Sequence, residues 1–372
     1  MSETKVEFTV MRSVLLGALQ QVSGAVERKQ SMEILSHIWL GVTTETISLL
    51  ATDLEVELQA FISPNSVDSP GQFTLPARKI MDICRMLPND AELRIIASDE
   101  KILIRSGRSR FNLLAREAED FPRIKPETNL LEFSIPEKTL VSLLETTHFA
   151  MAQQDVRVFF NGCLLEFSGE TIQVVATNGH RLAKTEITDS QYQFEPLKII
   201  LPRKSILELL RLLEKSDRSL TVSVSPIHLT LQVSDFSFTS RLLEATYPDY
   251  RQAIPRKSAE QLELDNALLK QALSRVVILS NEKNRSVYFD IKPNLLRIVG
   301  NNSEREEAEE ILEIDYQGPA VQFSVNALYV IEVLAVLPPG AINLFFSDGD
   351  SSILIDAAER PESLFVIMPI RY

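Results

Sequence analysis

Hydrophobic and polar positions change their period along this chain in an order that repeats. Apolar residues at helical spacing come first. They are Val14, Leu15, Ala18, Leu19 and Val22 within Met11 to Val26, then Leu140, Leu143, Leu144 and Thr147 within Glu137 to Met151. Leu268, Leu269, Ala272, Leu273 and Val276 within Asn266 to Leu279 form the third set. Recurrence at i, i+3, i+4 and i+7 predicts an amphipathic helix in each stretch. A strand and a sharp corner follow. Val174-Val175-Ala176-Thr177-Asn178-Gly179-His180 reads as an apolar strand ending in a turn, because Asn and Gly both tolerate positive φ. Leu49-Leu50-Ala51-Thr52-Asp53-Leu54-Glu55 has the same layout, and Ile298-Val299-Gly300-Asn301-Asn302-Ser303-Glu304 has it less closely. Asp53 and Glu55 read as alternating positions on a solvated strand face.

A second strand then runs into a second helix at Phe73 to Ile80, at Ile199 to Ile206 and at Phe323 to Leu328. These helices end near Leu87, near Leu213 and before Pro338. Pro76 and Pro202 read as first-turn prolines, where the missing N–H is harmless. Ala51 and Ala176 stand 125 positions apart, and Ala176 and Gly300 stand 124 apart. Independent markers sharing one period imply a triplicated unit. Each unit is α+β, with two helices on a largely antiparallel sheet. Proline-bearing polar stretches near Pro122 to Pro126 and Pro248 to Pro255 mark the joints. The expected domains are 1–124, 125–254 and 255–372.

Cys84 and Cys163 supply neither a disulfide framework nor a zinc pattern, which predicts a reduced, cytoplasmic setting. Met1 to Lys5 lacks an apolar h-region, so no signal peptide is expected. No apolar run approaches the roughly 20 residues that span a bilayer. Net charge is −13, which argues against nonspecific nucleic-acid binding but leaves a locally basic face open.

Chemistry is sparse. There is no phosphate-binding glycine loop, zinc-protease helix or nucleophile elbow. The histidines at 37, 148, 180 and 228 are scattered, so neither a metal nor a cofactor is expected. A hydrolase built on Arg78, Lys204 and His180 would lack an activated nucleophile. Arg78 and Arg85 share one helix face, as do Lys204, Arg211 and Lys215, with Arg12, Arg28, Lys29, Lys270 and Arg275 on or beside the first helices. These are either a solvated face or a cationic track. Arg105, Arg108 and Arg110 precede Phe111, whereas Glu304, Glu306, Glu307, Glu309 and Glu310 crowd the third unit. Head-to-tail packing of two copies would set these charges opposite, with Phe111 against Ile278 and Leu279. The apolar C-terminus, Val366 to Tyr372, is either a last core strand or the wall of a peptide groove beside the central corner.

These stretches, together with Gln20 to Gly24, Pro76 to Lys79, Arg105 to Phe111, Gln154 to Arg157, Pro248 to Arg251, Leu279 to Lys283, Glu306 to Glu310 and Met368-Pro369, run the length of the chain. In that order they resemble the bacterial replicative sliding clamps, the beta subunits of DNA polymerase III. The resemblance implies a DNA clamp fold and a homodimer ring around duplex DNA. It implies a processivity factor for DNA replication, not an enzyme, that tethers polymerases and the clamp loader through short motifs. Carried onto this chain, it puts DNA contacts at Lys29, Arg78, Gln154, Val158 and Phe159. It puts a peptide pocket at Phe160, Thr177, Gly179, His180, Arg181, Leu182, Pro248, Gln252 and Ala253, closed by Val366, Ile367, Met368, Pro369, Ile370 and Arg371. The dimer interface would use Arg108, Arg110, Phe111, Ile278, Leu279, Glu306 and Glu307. Asn178 stands where the family usually has Asp.

Overall fold

The computed structural model describes residues 5–27, 32–98, 100–125, 127–257, 260–347 and 349–371. Arg28, Lys29, Pro126 and Tyr372 lie outside the described residues. Among the described residues the helices are α1 (Arg12–Val22), α2 (Ala77–Met86), α3 (Glu137–Thr147), α4 (Arg203–Leu212), α5 (Asn266–Val276) and α6 (Ala327–Val336). The first helix of each unit is shorter than its apolar periodicity suggests. Residues Ser23–Ala25, His148–Ala150 and Val277–Leu279 tighten into 3-10 turns, which satisfy the last carbonyls over a shorter reach. The expected first-turn prolines are one position early. Pro76 and Pro202 close the strands Gly71–Pro76 and Phe194–Pro202, and helix begins at the next residue. At the other end, Leu87 and Leu337 are extended, with ψ of 153° and 149°, because each precedes a proline that disfavours helical backbone.

The chain divides into two compact units, Met1–Lys138 with Arg211–Leu242, and Thr139–Leu210 with Leu243–Tyr372. The first unit holds a five-stranded sheet in the order Ser66–Ser69, Lys5–Met11, Glu92–Ser98, Lys101–Ser106, Ser109–Leu114. Its eight-stranded sheet runs Leu131–Pro136, Ser219–Val224, His228–Gln232, Phe236–Arg241, Val56–Ile62, Ile47–Thr52, His37–Val42, Gly71–Pro76. The second unit has an eight-stranded sheet in the order Phe194–Pro202, Gly162–Gly169, Thr171–Thr177, Arg181–Thr188, Ser363–Ile367, Ile353–Asp356, Ala341–Phe345, Gln261–Asp265. Its four-stranded sheet is Glu307–Glu313, Leu295–Asn301, Ser286–Lys292, Val321–Asn326. Pairing is antiparallel, as the alternating patterns require.

The apolar stripes face the sheets. Leu15, Leu19 and Val22 of α1 and Ile80 and Cys84 of α2 are buried in the first unit. Leu269, Leu273, Val330 and Val333 are buried in the second. Burial pushes the Cys84 thiol up to about 11 and the Cys163 thiol up to about 12, so both act as small apolar core groups. Asp53 and Glu55 do not alternate on a strand; they lie in the corner between Ile47–Thr52 and Val56–Ile62. No helix among the described residues is long and apolar enough to cross a membrane.

Candidate functional site

The site grows from the second corner. Thr177 Oγ1 donates to the Arg181 carbonyl at 2.6 Å and accepts from Gly179 N at 3.0 Å. Asn178 Oδ1 accepts from His180 N and Arg181 N at 3.0 and 3.1 Å. Asn therefore supplies the same backbone acceptor that an Asp would. Gly179 has φ +87°, and a Cβ there would meet the Arg157 guanidinium at 3.3 Å.

Beyond the corner, Arg181–Thr188 pairs with Ser363–Ile367, setting Leu182 opposite Val366 and Arg181 opposite Ile367. Met368 N donates to the His180 carbonyl at 2.9 Å, so the C-terminal segment is stitched to the corner. Because side chains alternate across a strand, only one residue of each neighbouring pair can face a given side. Leu182 and Val366 share a cluster with Leu164, Val175, Ile200, Tyr250, Phe345 and Leu354. Phe159, Leu243, Ala245, Tyr247 and Ile254 are partly buried against it. Phe160 packs edge-on against Phe159 and Tyr247, with centroids 4.6 and 6.2 Å apart.

Arg181 and Ile367 turn to the opposite face. The Arg181 guanidinium is only 8 % exposed, donates to the Glu332 carboxylate and the Phe149 carbonyl, and lies 4.3 Å from the Tyr329 ring. Its side chain is thus a structural tie under α6, on the strand face opposite Leu182. Thr177 likewise spends its hydroxyl on the corner. The expected pocket residues His180, Pro248, Gln252 and Met368 are exposed, and Ala253, Pro369 and Ile370 are half-buried. Ile370 N is held by the Ser324 carbonyl at 2.7 Å, and Arg371 donates to the Asp350 carbonyl at 3.4 Å.

Of the expected DNA contacts, Arg78 is exposed on α2. Gln154, with φ +57°, and Val158 are exposed on the loop before Gly162–Gly169. Phe159 is instead turned into the cluster beneath the corner. Lys29 lies outside the described residues. The basic stripes are partly spent internally. Arg12 is buried and donates to the Cys84 and Arg85 carbonyls at the end of α2, and Arg275 pairs through two nitrogens with Glu310 at 2.6 and 2.9 Å.

The expected interface residues lie on two sheet edges and the turns beside them. Ser109–Leu114 ends the five-stranded sheet, with Arg108 and Arg110 exposed and Phe111 half-buried. Glu307–Glu313 ends the four-stranded sheet, with Glu306 and Glu307 exposed. Ile278 is 71 % exposed and Leu279 half-buried on the 3-10 turn after α5.

Sequence reasoning did not single out Tyr247 and Arg157, which pack with Phe160, or Glu166, which accepts from the Tyr250 hydroxyl. The available signal for Glu166 was a lone carboxylate at an inward position of the apolar run Cys163 to Phe167. No group of His, Cys, Asp and Glu that could hold a metal occurs among the described residues.

Models of the DNA polymerase III beta subunit match residues 6–125 (N-terminal domain), 134–249 (central domain) and 251–371 (C-terminal domain). The beta sliding clamp of Pseudomonas aeruginosa is 41% identical over 364 residues, covering 98% of this chain and 99% of that protein. The beta sliding clamp of Escherichia coli K12 is 42% identical over 365 residues, covering 98% and 100%. A crystal structure of the P. aeruginosa clamp bound to griselimycin superposes with TM-score 0.95 at 40% identity, covering 99% of this chain and 100% of that one. The Caulobacter crescentus polymerase III beta structure gives TM-score 0.92 at 33% identity, covering 98% and 100%.

Proposed function

Because this chain belongs to the DNA polymerase III beta subunit family, the bacterial sliding clamps, we propose a specific division of labour among its parts. The chain is a processivity factor and not an enzyme; it acts in DNA replication on chromosomal DNA and tethers polymerases there. In our reading it does so from the cytoplasm as three domains, 1–124, 125–254 and 255–372. Two copies close head to tail, Arg108, Arg110 and Phe111 of one meeting Ile278, Leu279, Glu306 and Glu307 of the other. Duplex DNA passes through and is contacted at Arg78, Gln154 and Val158; Lys29, a further expected contact, lies outside the described residues. Topology, rather than tight phosphate binding, retains the DNA, so a chain of net charge −13 suffices.

The groove over Leu182 and Val366 captures short apolar motifs of polymerases and the clamp loader. The observation that carries this is the junction of Arg181–Thr188 with Ser363–Ile367, where the second corner, the aromatic cluster and the C-terminal segment meet. Capture there raises a partner's local concentration at the template without any new chemistry. In our reading griselimycin, which is bound in a P. aeruginosa clamp structure, occupies this groove and serves as its probe. The test is to load the protein on nicked circular DNA and then cut the circle. Runoff on linearisation is expected, and Phe111→Asp should sediment as a monomer and fail to load. Retention on linear DNA contradicts the topological reading; an unchanged mass of the variant contradicts the interface.

A further inference from the structure

The strand Gly162–Gly169 carries Leu164 and Glu166 on the face that holds the groove. Leu164 lies between Val175 and Ile200, an apolar cross-strand row. Glu166 lies between Gln173 and Lys198, a polar row next to it. Tyr250 spans both rows. Its ring belongs to the apolar cluster, and its hydroxyl donates to Glu166 Oε2 at 2.6 Å. Arg251 also reaches Glu166, at 3.3 Å, while pairing with Asp249 and lying 5.0 Å from the Tyr250 ring. Gln173 donates to both Glu166 and Tyr250, and Lys198 pairs with the other carboxylate oxygen. Burial alone would raise the Glu166 carboxyl, but Lys198 and Tyr250 hold it below the ordinary glutamate value. Burial and the adjacent carboxylate push the Tyr250 phenol up, so it stays a donor.

Tyr250 and Arg251 begin the 3-10 turn Tyr250–Ala253, which carries Gln252 and Ala253 and follows Pro248. Tyr247 and Ile254 on either side of the turn pack on the apolar cluster, Tyr247 against the Phe159 and Phe160 rings, while within the turn Asp249 accepts from Arg251 N at 3.3 Å and the turn closes on itself. We infer that Glu166 is a positioning residue for peptide capture: by gripping Tyr250 and Arg251 from below, it holds the 247–253 wall where a bound peptide meets it. The inference rests on the groove reading above.

The test measures griselimycin binding to the full-length protein by calorimetry, beside thermal melting. Leu182→Glu serves as the floor control. Glu166→Ala should weaken binding roughly tenfold, the scale of one coupled interaction between neighbouring side chains, and Tyr250→Phe somewhat less. The double variant should be no weaker than Glu166→Ala alone. Glu166→Gln keeps an acceptor for Tyr250 and should recover most of the affinity; if the alanine variant does not fold, Tyr250→Phe decides, since it removes only the hydroxyl that Glu166 accepts from, and wild-type binding by it would overturn the inference. If Glu166→Ala and Glu166→Gln bind as the wild type while only the melting temperature falls, the residue is merely structural and the inference is overturned. If Leu182→Glu binds as well as the wild type, the groove itself is misplaced, a separate failure.

Discussion

The first and second corners are nearly the same object in backbone and quite different in what surrounds it. Thr52 Oγ1 donates to the Val56 carbonyl at 2.9 Å and accepts from Leu54 N at 3.0 Å; Asp53 Oδ1 accepts from Glu55 N and Val56 N at 3.0 and 2.8 Å. Thr177 and Asn178 make the same four bonds. Each corner leads into a strand that pairs with one from later in the chain, Phe236–Arg241 in the first unit and Ser363–Ile367 in the second. The surroundings diverge at positions 125 apart. Trp39 stands for Leu164, Leu50 for Val175, Ile34 for Phe159 and Glu57 for Leu182. The first cluster is small, Trp39, Leu50, Ala118 and Phe121, and Arg123 lies 3.5 Å over the Trp39 ring. Glu57, bonded by Ile124 N at 3.0 Å, puts a carboxylate where the second unit has Leu182. The scaffold is the same in both copies, and in our reading the side chains beside it set which copy receives a peptide.

Transplanting Glu57's chemistry should have the largest effect. Leu182→Glu buries an unpaired charge and should cost about 3 kcal/mol or more while abolishing griselimycin binding; a calorimetric melt and a binding titration read both. Removing the shared scaffold is the next step. Thr52→Val and Thr177→Val each orphan an N–H and take one of two donors from a carbonyl, and each should lose about 1–2 kcal/mol in denaturant unfolding. Only Thr177→Val should weaken binding, and a loss from Thr52→Val would break the contrast. Exchanging the left-handed residues follows. Leu54 holds φ +75° while 49 % exposed, so Leu54→Gly should be neutral or gain up to about 1 kcal/mol, whereas Gly179→Leu should lose about that much and crowd Arg157. The smallest effect is one of pH. Burial raises the Glu57 carboxyl above its ordinary value, so the folded state holds the proton more tightly than the unfolded chain does. Its contribution is then full below the ordinary value and is lost as pH rises through the folded one. Glu57→Gln should therefore raise the melting temperature near pH 7 and lose that advantage near pH 4.

The repeat, the helices and the corners were legible because each is written in local spacing: an apolar stripe, an Asn-Gly pair, a proline after Leu87 or Leu337. The pairing of Arg181–Thr188 with Ser363–Ile367 was not, since partners so distant in sequence leave no local mark. The face of Arg181 was hidden for the same reason: alternation says that it opposes Leu182, but not which side is the groove. Arg12 and Arg275 read as surface cations until their acceptors came into view.

Hydrogen exchange on the intact protein with saturating griselimycin tests the central claim most directly. Protection should appear at 177–182, 247–253 and 363–371 and leave 52–57 and 118–123 unchanged. Protection at the first corner instead, or at neither, would contradict it.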